Sequence, residues 1–352
     1  MMMKPALSIA QEKKIMTYFP VTNSNLSATH IGLFLQESYS LGKDTQCRLI
    51  KAGINDTYLV TDGQEKFVFR VYSLNWRTKT EISEEINLLS QLRQNNMPVS
   101  YAIPDKENNY IHTLNAPEGN RFSVLFSYAR GEKQHVSSIE THHRIGQLVA
   151  QLHKITNKQK LKRVDYTPQV ILIDSLKLIS EFLSADTEEM AFMRSAQKYL
   201  LSEFEKVDTQ QMREGIVHLD IWFDNLNITA DNEITVFDFD FCGNGWLCLD
   251  IAYYILQLHN IEKYEAKDYQ PKVDSFIKGY GSITPISQEE KRLIPALGVS
   301  LYFFYLGVQC QRYHNWSNSF LSESYLKRFI NRLVKKYYAI YKLGTAEALP
   351  GA

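Results

Sequence analysis

The chain has 352 residues, 44% of them hydrophobic, with Lys plus Arg and Asp plus Glu equal at 39 each. The length supports a buried core divided over two lobes of about 100–200 residues, and the charge balance excludes a global field that would favour nucleic acid or an acidic membrane. Cys47, Cys242, Cys248 and Cys310 are not paired at close metal-ligand spacing and suit a reducing compartment.

The first 20 residues carry Lys4, Glu12, Lys13 and Lys14 and no continuous apolar segment, so a cytoplasmic protein without a secretory signal is expected. Asn25 to Leu41 has helical spacing, with Ile31, Phe34 and Leu35 on one face after N-cap candidates Ser27 and Thr29. Strands follow at Cys47 to Ala52, Thr57 to Thr61 and Lys66 to Tyr72, the last two joined by an Asp62-Gly63 turn. Glu81 to Arg93 returns to helical period through Ile82, Ile86, Leu89 and Leu92, and strands resume at Tyr110 to Leu114 and Arg121 to Tyr128 around the turn Pro117 to Asn120.

Beyond Gly131 the pattern is helical. Ile145, Leu148, Val149, Leu152 and Ile155 form one apolar face, and Ile171 to Leu183 and Ala191 to Phe204 are helical too. After an interruption, helices are expected over Leu247 to Leu258, Val273 to Tyr280, Glu289 to Gln311 and Tyr325 to Tyr341, with a frayed tail from Ala346 to Ala352. The apolar-rich stretch Leu297 to Val308 falls far short of a bilayer span. The result is a bilobal α+β chain. A β-rich lobe spans 1–128, with a helical extension to about 41, and a larger helical lobe spans 129–352; the site is expected in the cleft between them.

The interruption carries the chemistry. It reads His218-Leu219-Asp220-Ile221-Trp222-Phe223-Asp224-Asn225, then Val236-Phe237-Asp238-Phe239-Asp240. Asp220 offers an acid to a substrate hydroxyl, Asn225 an amide to a metal, and Asp238 a second acid at the end of the next apolar strand, which are the parts phosphoryl transfer requires. Leu226 to Ile228 and Ile234 to Phe237 read as a hairpin turning at Asp231-Asn232, which brings Asp238 beside Asn225. If the strand continues, Asp240 shares the face of Asp238 and either joins the metal or turns to solvent.

This run resembles the superfamily of aminoglycoside phosphotransferases, choline kinases and type II homoserine kinases, whose loop reads His-Gly-Asp-x-x-x-x-Asn. The resemblance covers about Leu49 to Tyr254 and implies a protein-kinase-like fold that moves the γ-phosphate of ATP, with Mg²⁺, to the hydroxyl of a small molecule. It makes Asp220 the catalytic acid/base, Asn225 and Asp238 the metal ligands, and His218 a support for the loop. Asp250, in Leu249-Asp250-Ile251-Ala252, becomes an N-cap or a brace for that loop. Leu219 departs from the family's Gly, and Trp222, also unusual, either lines the acceptor pocket or packs the loop.

The same resemblance assigns the nucleotide side. Gly53 to Tyr58 is the loop over the phosphates, with Asn55 or Thr57 as donors. Arg70 stands where kinases put the ATP-binding lysine, with Glu85, or failing that Glu84, as its helix partner. Ser127 to Ala129 form the hinge whose main chain meets the adenine edge. For the acceptor, Tyr302, Phe303, Phe304, Tyr305, Tyr313 and Trp316 either cage an ammonium group or pack as core, and Arg312 either binds a carboxylate or lies exposed. The acceptor class expected is an amino alcohol, a homoserine-like amino acid, an aminoglycoside or a sugar. The alternatives are a protein Ser/Thr kinase of the same fold and a catalytically weak nucleotide-binding regulator.

Overall fold

The computed structural model describes residues 19–262, 267 and 269–344. The N-terminal segment read above for a signal lies outside these for residues 1–18, as does the tail 345–352. Helix α1 (Ala28–Tyr39) starts at Ser27, whose hydroxyl accepts from the His30 N–H. It buries Ile31 and Leu35 against Tyr58, Val60, Phe69, Val71 and Leu125 of the sheet.

Strands β1 (Gln46–Ala52), β2 (Asp56–Asp62), β3 (Glu65–Val71), β4 (Ala102–Ile103), β5 (His112–Ala116) and β6 (Gly119–Ser127) make one antiparallel sheet, ordered β1-β2-β3-β6-β4 with β5 also on β6. Alternate residues of β2, Asp56, Tyr58 and Val60, are buried, the period-2 pattern of a strand with one covered face. Helix α2 (Lys79–Gln94) interrupts the strands behind a capping box of Thr78 and Glu81. It turns Ile82, Glu85, Ile86, Leu89 and Leu92 inward.

The larger lobe holds α3 (Ile139–Thr156), α4 (Ser175–Ile179) and α5 (Glu188–Glu205), with a wide turn over Gln169–Asp174 leading into α4. Strands β7 (Glu214–Val217), β8 (Leu226–Ile228), β9 (Ile234–Val236) and β10 (Gly243–Trp246) follow. They form two antiparallel pairs, β8 with β9 and β7 with β10. The first pair is the expected hairpin; the second escaped the sequence because Gly215, Gly243 and Gly245 break any alternation. Helices α6 (Cys248–Glu262), α7 (Tyr269–Gly281), α8 (Gln288–Gln311), α9 (Glu323–Phe329) and α10 (Lys335–Ile340) complete it.

Helix α8 corrects one expectation. At 24 residues it is long and apolar enough to cross a membrane by length and composition, but 89% of that window is buried inside the fold. Around it, Tyr302, Phe303 and Phe304 are buried, the Tyr302 ring meets Phe329 and Tyr337, and Tyr313 packs on Phe182. These rings pack as core rather than forming a cage. The architecture is thus the expected bilobal α+β one, a small antiparallel-sheet lobe and a larger helical lobe.

Candidate active site

The loop between β7 and β8 carries Asp220, and the residues around it fix its shape. Leu219 sits at φ 61, the left-handed region where glycine is the easy choice, and its side chain is fully buried. Asp250, at the start of α6, holds that conformation. Its carboxylate accepts from the main-chain N–H of His218 at 2.9 Å and of Leu219 at 2.6 Å. The third donor to it is His153 Nε2 of α3, also at 2.9 Å, while Nδ1 of that ring meets the Tyr280 hydroxyl. Asp250 is therefore the loop brace, and its donors come from the loop and from α3.

His218 is buried, and burial holds its pKa below the ordinary histidine value. The neutral ring accepts from the Asp220 N–H at Nδ1 and donates from Nε2 to the Phe237 carbonyl at 3.2 Å, tying the loop to the end of β9. Asp220 then stands with both carboxyl oxygens engaged. The Tyr253 hydroxyl donates to Oδ1, and Asn225 Nδ2 donates to Oδ2 at 2.7 Å and to the main-chain carbonyl at 2.9 Å. Burial, and next the charge of Asp238, push the Asp220 carboxyl up to about 8 against those hydrogen bonds.

Asn225 spends its amide nitrogen on Asp220, which leaves the amide oxygen as its free donor atom. The Phe237 N–H donates to the Asn225 carbonyl at 3.1 Å, so the β8–β9 hairpin brings Asp238 beside it. Asp238, at φ 64 and about a third exposed, lines the cleft together with Asn225. A carboxylate and an amide oxygen are the hard donors that Mg²⁺ takes together with nucleotide phosphates.

Arg70 of β3 faces them. Its Nη1 lies 3.0 Å from Glu85 Oε1 and its Nη2 2.8 Å from Asp238 Oδ1, with only 7% of the residue exposed. Glu85 also receives the Tyr72 hydroxyl at 3.2 Å and has Arg163 Nη1 at 3.6 Å. Glu84, the fallback, instead accepts from the Lys162 N–H.

The cleft between the lobes offers a cavity of about 540 Å³, and Thr57, Arg70, Glu85, Ser127, Ala129, Asn225 and Asp238 all line it. Asn55 does not. Its Oδ1 accepts from the Ser73 N–H at 3.2 Å, so its amide staples the turn, and Ile50, Lys51 and Thr57 are the side chains this hairpin gives the cleft. At the hinge, the Ser127 N–H donates to the Tyr101 carbonyl and its own carbonyl accepts from Ser100 Oγ, while the Ala129 carbonyl accepts from Asn227 Nδ2 at 2.6 Å. Gly131 is required there. It has φ 93, and a Cβ on it would come within 2.4 Å of the Ile228 main chain.

Asp240 corrects the sequence reading a second time. The strand ends at Val236 and the chain turns at Phe239–Phe241, so Asp240 neither joins Asp238 nor meets solvent. It is buried, accepting from Trp76 Nε1 at 2.7 Å and Arg77 Nε at 3.1 Å. Burial would raise its pKa, but Arg77, Arg70 and Arg163 outweigh it and hold the carboxyl well below the usual range.

Several contributors were not legible as site residues. Tyr253 lies one helical turn after Asp250 on α6, a spacing that places both on the loop side. Tyr305 donates its hydroxyl to the Leu219 carbonyl. Lys51 and Lys133 meet Asp224 at 3.5 and 2.6 Å at the cleft mouth. Trp222 meets Phe223 edge-on at 4.6 Å between ring centroids and lines a small apolar pocket with His142 and Tyr254.

Comparison with known proteins places this geometry. A family model described as the phosphotransferase enzyme family matches residues 46–280. An uncharacterized protein of Synechocystis sp. is 29% identical over 318 residues, 90% of this chain and 87% of its own. The homoserine kinase of Methylobacillus glycogenes is 24% identical over 265 residues, 74% of this chain and 78% of its own. Among solved structures, an amicoumacin kinase in complex with AMP-PNP, Ca²⁺ and Ami superposes with a TM-score of 0.72 at 19% identity, covering 88% of this chain and 94% of that one.

Proposed function

The chain belongs to the phosphotransferase enzyme family, and from that premise we propose that it moves the γ-phosphate of ATP to the hydroxyl of a small molecule, with Asp220 as the catalytic residue. The observation that carries this reading is the Asp220–Asn225–Asp238 constellation facing Arg70 across one cleft. Phosphoryl transfer asks a protein for position and charge more than for covalent chemistry, and each group here supplies one of these.

Asp220, oriented by Tyr253 and Asn225, takes the proton of the acceptor hydroxyl. The Asn225 amide oxygen and the Asp238 carboxylate would hold Mg²⁺, which would neutralise phosphate charge. Arg70, released from Asp238 by the arriving phosphates, stays anchored to Glu85 and pairs with them. Thr57 and the main chain from Gly53 cover the phosphates, and the Ser127–Ala129 main chain meets the adenine edge. The division between the lobes falls at 128/129. Use of ATP and four free thiols fit the cytoplasm.

The acceptor is a small hydroxyl compound such as an amino alcohol, a homoserine-like amino acid, an aminoglycoside or a sugar; relatives named homoserine kinase support the amino-acid member of that set. The test is acceptor-dependent ADP release. With an acceptor that turns over, Asp220→Ala is expected to reduce kcat at least about 100-fold while the nucleotide still raises the melting temperature. Unchanged turnover overturns the assignment.

A further inference from the structure

Arg312 follows the last residue of α8 and is 5% exposed. Its Nε and Nη2 are shut off from water and have no hydrogen-bond partner among the described residues. The guanidinium lies 5.0 Å over the Trp76 ring, but a cation–π contact does not replace the hydrogen bonds a buried ion loses. The field around it adds to the cost. Arg77 and Arg121 act against its charge, and the acid that favours it, Asp240, already has its two carboxylate oxygens on Trp76 and Arg77. An arginine kept buried on these terms has no structural partner to explain it.

The two unpartnered atoms are informative in themselves. Nε–H and the neighbouring Nη2–H lie on one edge of the planar guanidinium and point the same way, the fork that grips both oxygens of a carboxylate. The position also suits an acceptor. Tyr305, on the same helix, reaches the carbonyl of Leu219 beside Asp220. Arg312 follows seven residues later, two turns and about 10 Å along the same face. Trp76, which covers the guanidinium, is bonded to Asp240, two residues past the metal acid.

We propose that Arg312 grips the carboxylate of the phosphoryl acceptor, so that the acceptor is a hydroxy acid whose carboxylate stands several bonds from the hydroxyl. This rests on the phosphotransferase reading and narrows its acceptor class. Trp76, from the small lobe, shields the fork until an acceptor enters.

Two measurements test it. In the first, wild type and Arg312→Gln are assayed with homoserine and with 3-aminopropanol, which is homoserine without its carboxylate. The wild type is expected to favour homoserine in kcat/KM, and the variant to lose about tenfold or more of that preference, the worth of a charge-assisted pair. A wild type indifferent to the carboxylate, or a variant that keeps the full preference, overturns the proposal.

The second needs no turnover. Homoserine is expected to raise the Tm of the wild type and not that of Arg312→Gln, whereas equal shifts overturn the proposal. Arg312→Met without ligand is expected to melt no lower than the wild type, because it removes an unpaired charge; a lower Tm assigns the guanidinium a structural role and overturns it too. A homoserine-specific Tm shift without ADP release from either compound would count against the phosphotransferase reading and leave the carboxylate site standing.

Discussion

Leu219 sets two energies against each other at one position. The left-handed backbone costs a non-glycine residue about 1–2 kcal/mol, while removing a fully buried Leu side chain costs about 2–5 kcal/mol. Burial wins, which is why a side chain stands where the family has glycine. Leu219→Gly is accordingly expected to destabilise the protein by about 1–3 kcal/mol in urea unfolding; a gain in stability would show the backbone cost to be the larger. Asp220, next in the chain, has a pH signature. Its pKa rises from 3.8 to about 8 in the folded, metal-free protein. The folded value is the higher, so its contribution to stability is complete below about pH 4 and is lost as the pH rises through about 8. Asp220→Asn is uncharged throughout, so its Tm should gain on that of the wild type between about pH 5 and pH 9. Parallel curves would sink the assignment of a raised pKa.

Between elements, Asp250 joins α6 to α3 and to the catalytic loop through three buried hydrogen bonds. Asp250→Ala leaves His153 and two main-chain N–H groups unanswered and is expected to cost on the order of 3 kcal/mol, with kcat falling as the loop loosens. A loss below about 1 kcal/mol would mean that the loop is held elsewhere. This scale also shows where the sequence is legible. The β8–β9 hairpin is readable because apolar runs flank an Asp-Asn turn, whereas the Arg70–Glu85 pair is reached only through the family resemblance, which puts Arg70 in the lysine's place and Glu85 on the helix. The β7–β10 pair is not readable, since four-residue strands with glycines carry no period. Asp240 was misread because its direction depends on the positive φ of Asp238, which no residue pattern announces. The direction of Asn55 is not readable because a turn residue's side chain can face either way, and the Ser73 N–H holds its amide oxygen. Arg312 was left open between exposure and a carboxylate, because burial at a helix end depends on a tryptophan distant in sequence.

At the scale of the molecule, the lobes are tied unevenly. On the α2 side, Arg77 reaches Asp240, Arg163 reaches the Glu81 carbonyl, and Ser100 donates to the Val236 carbonyl. At the mouth, the Lys51–Asp224 pair at 3.5 Å is half open to water and worth about 1 kcal/mol or less. Arg70 spans both lobes from the middle. Arg70 neutralises Asp238, so under the proposed reading phosphates would have to compete with Asp238 for the guanidinium before that carboxylate could hold a metal. If Asp238 holds the metal, loading would be ordered, with nucleotide and cation entering together. Calorimetric titration of Mg²⁺ is expected to give little heat without nucleotide and strong binding with it; tight binding by the nucleotide-free protein would refute the order. On that order, turnover would follow the concentration of the metal–nucleotide complex rather than that of free Mg²⁺.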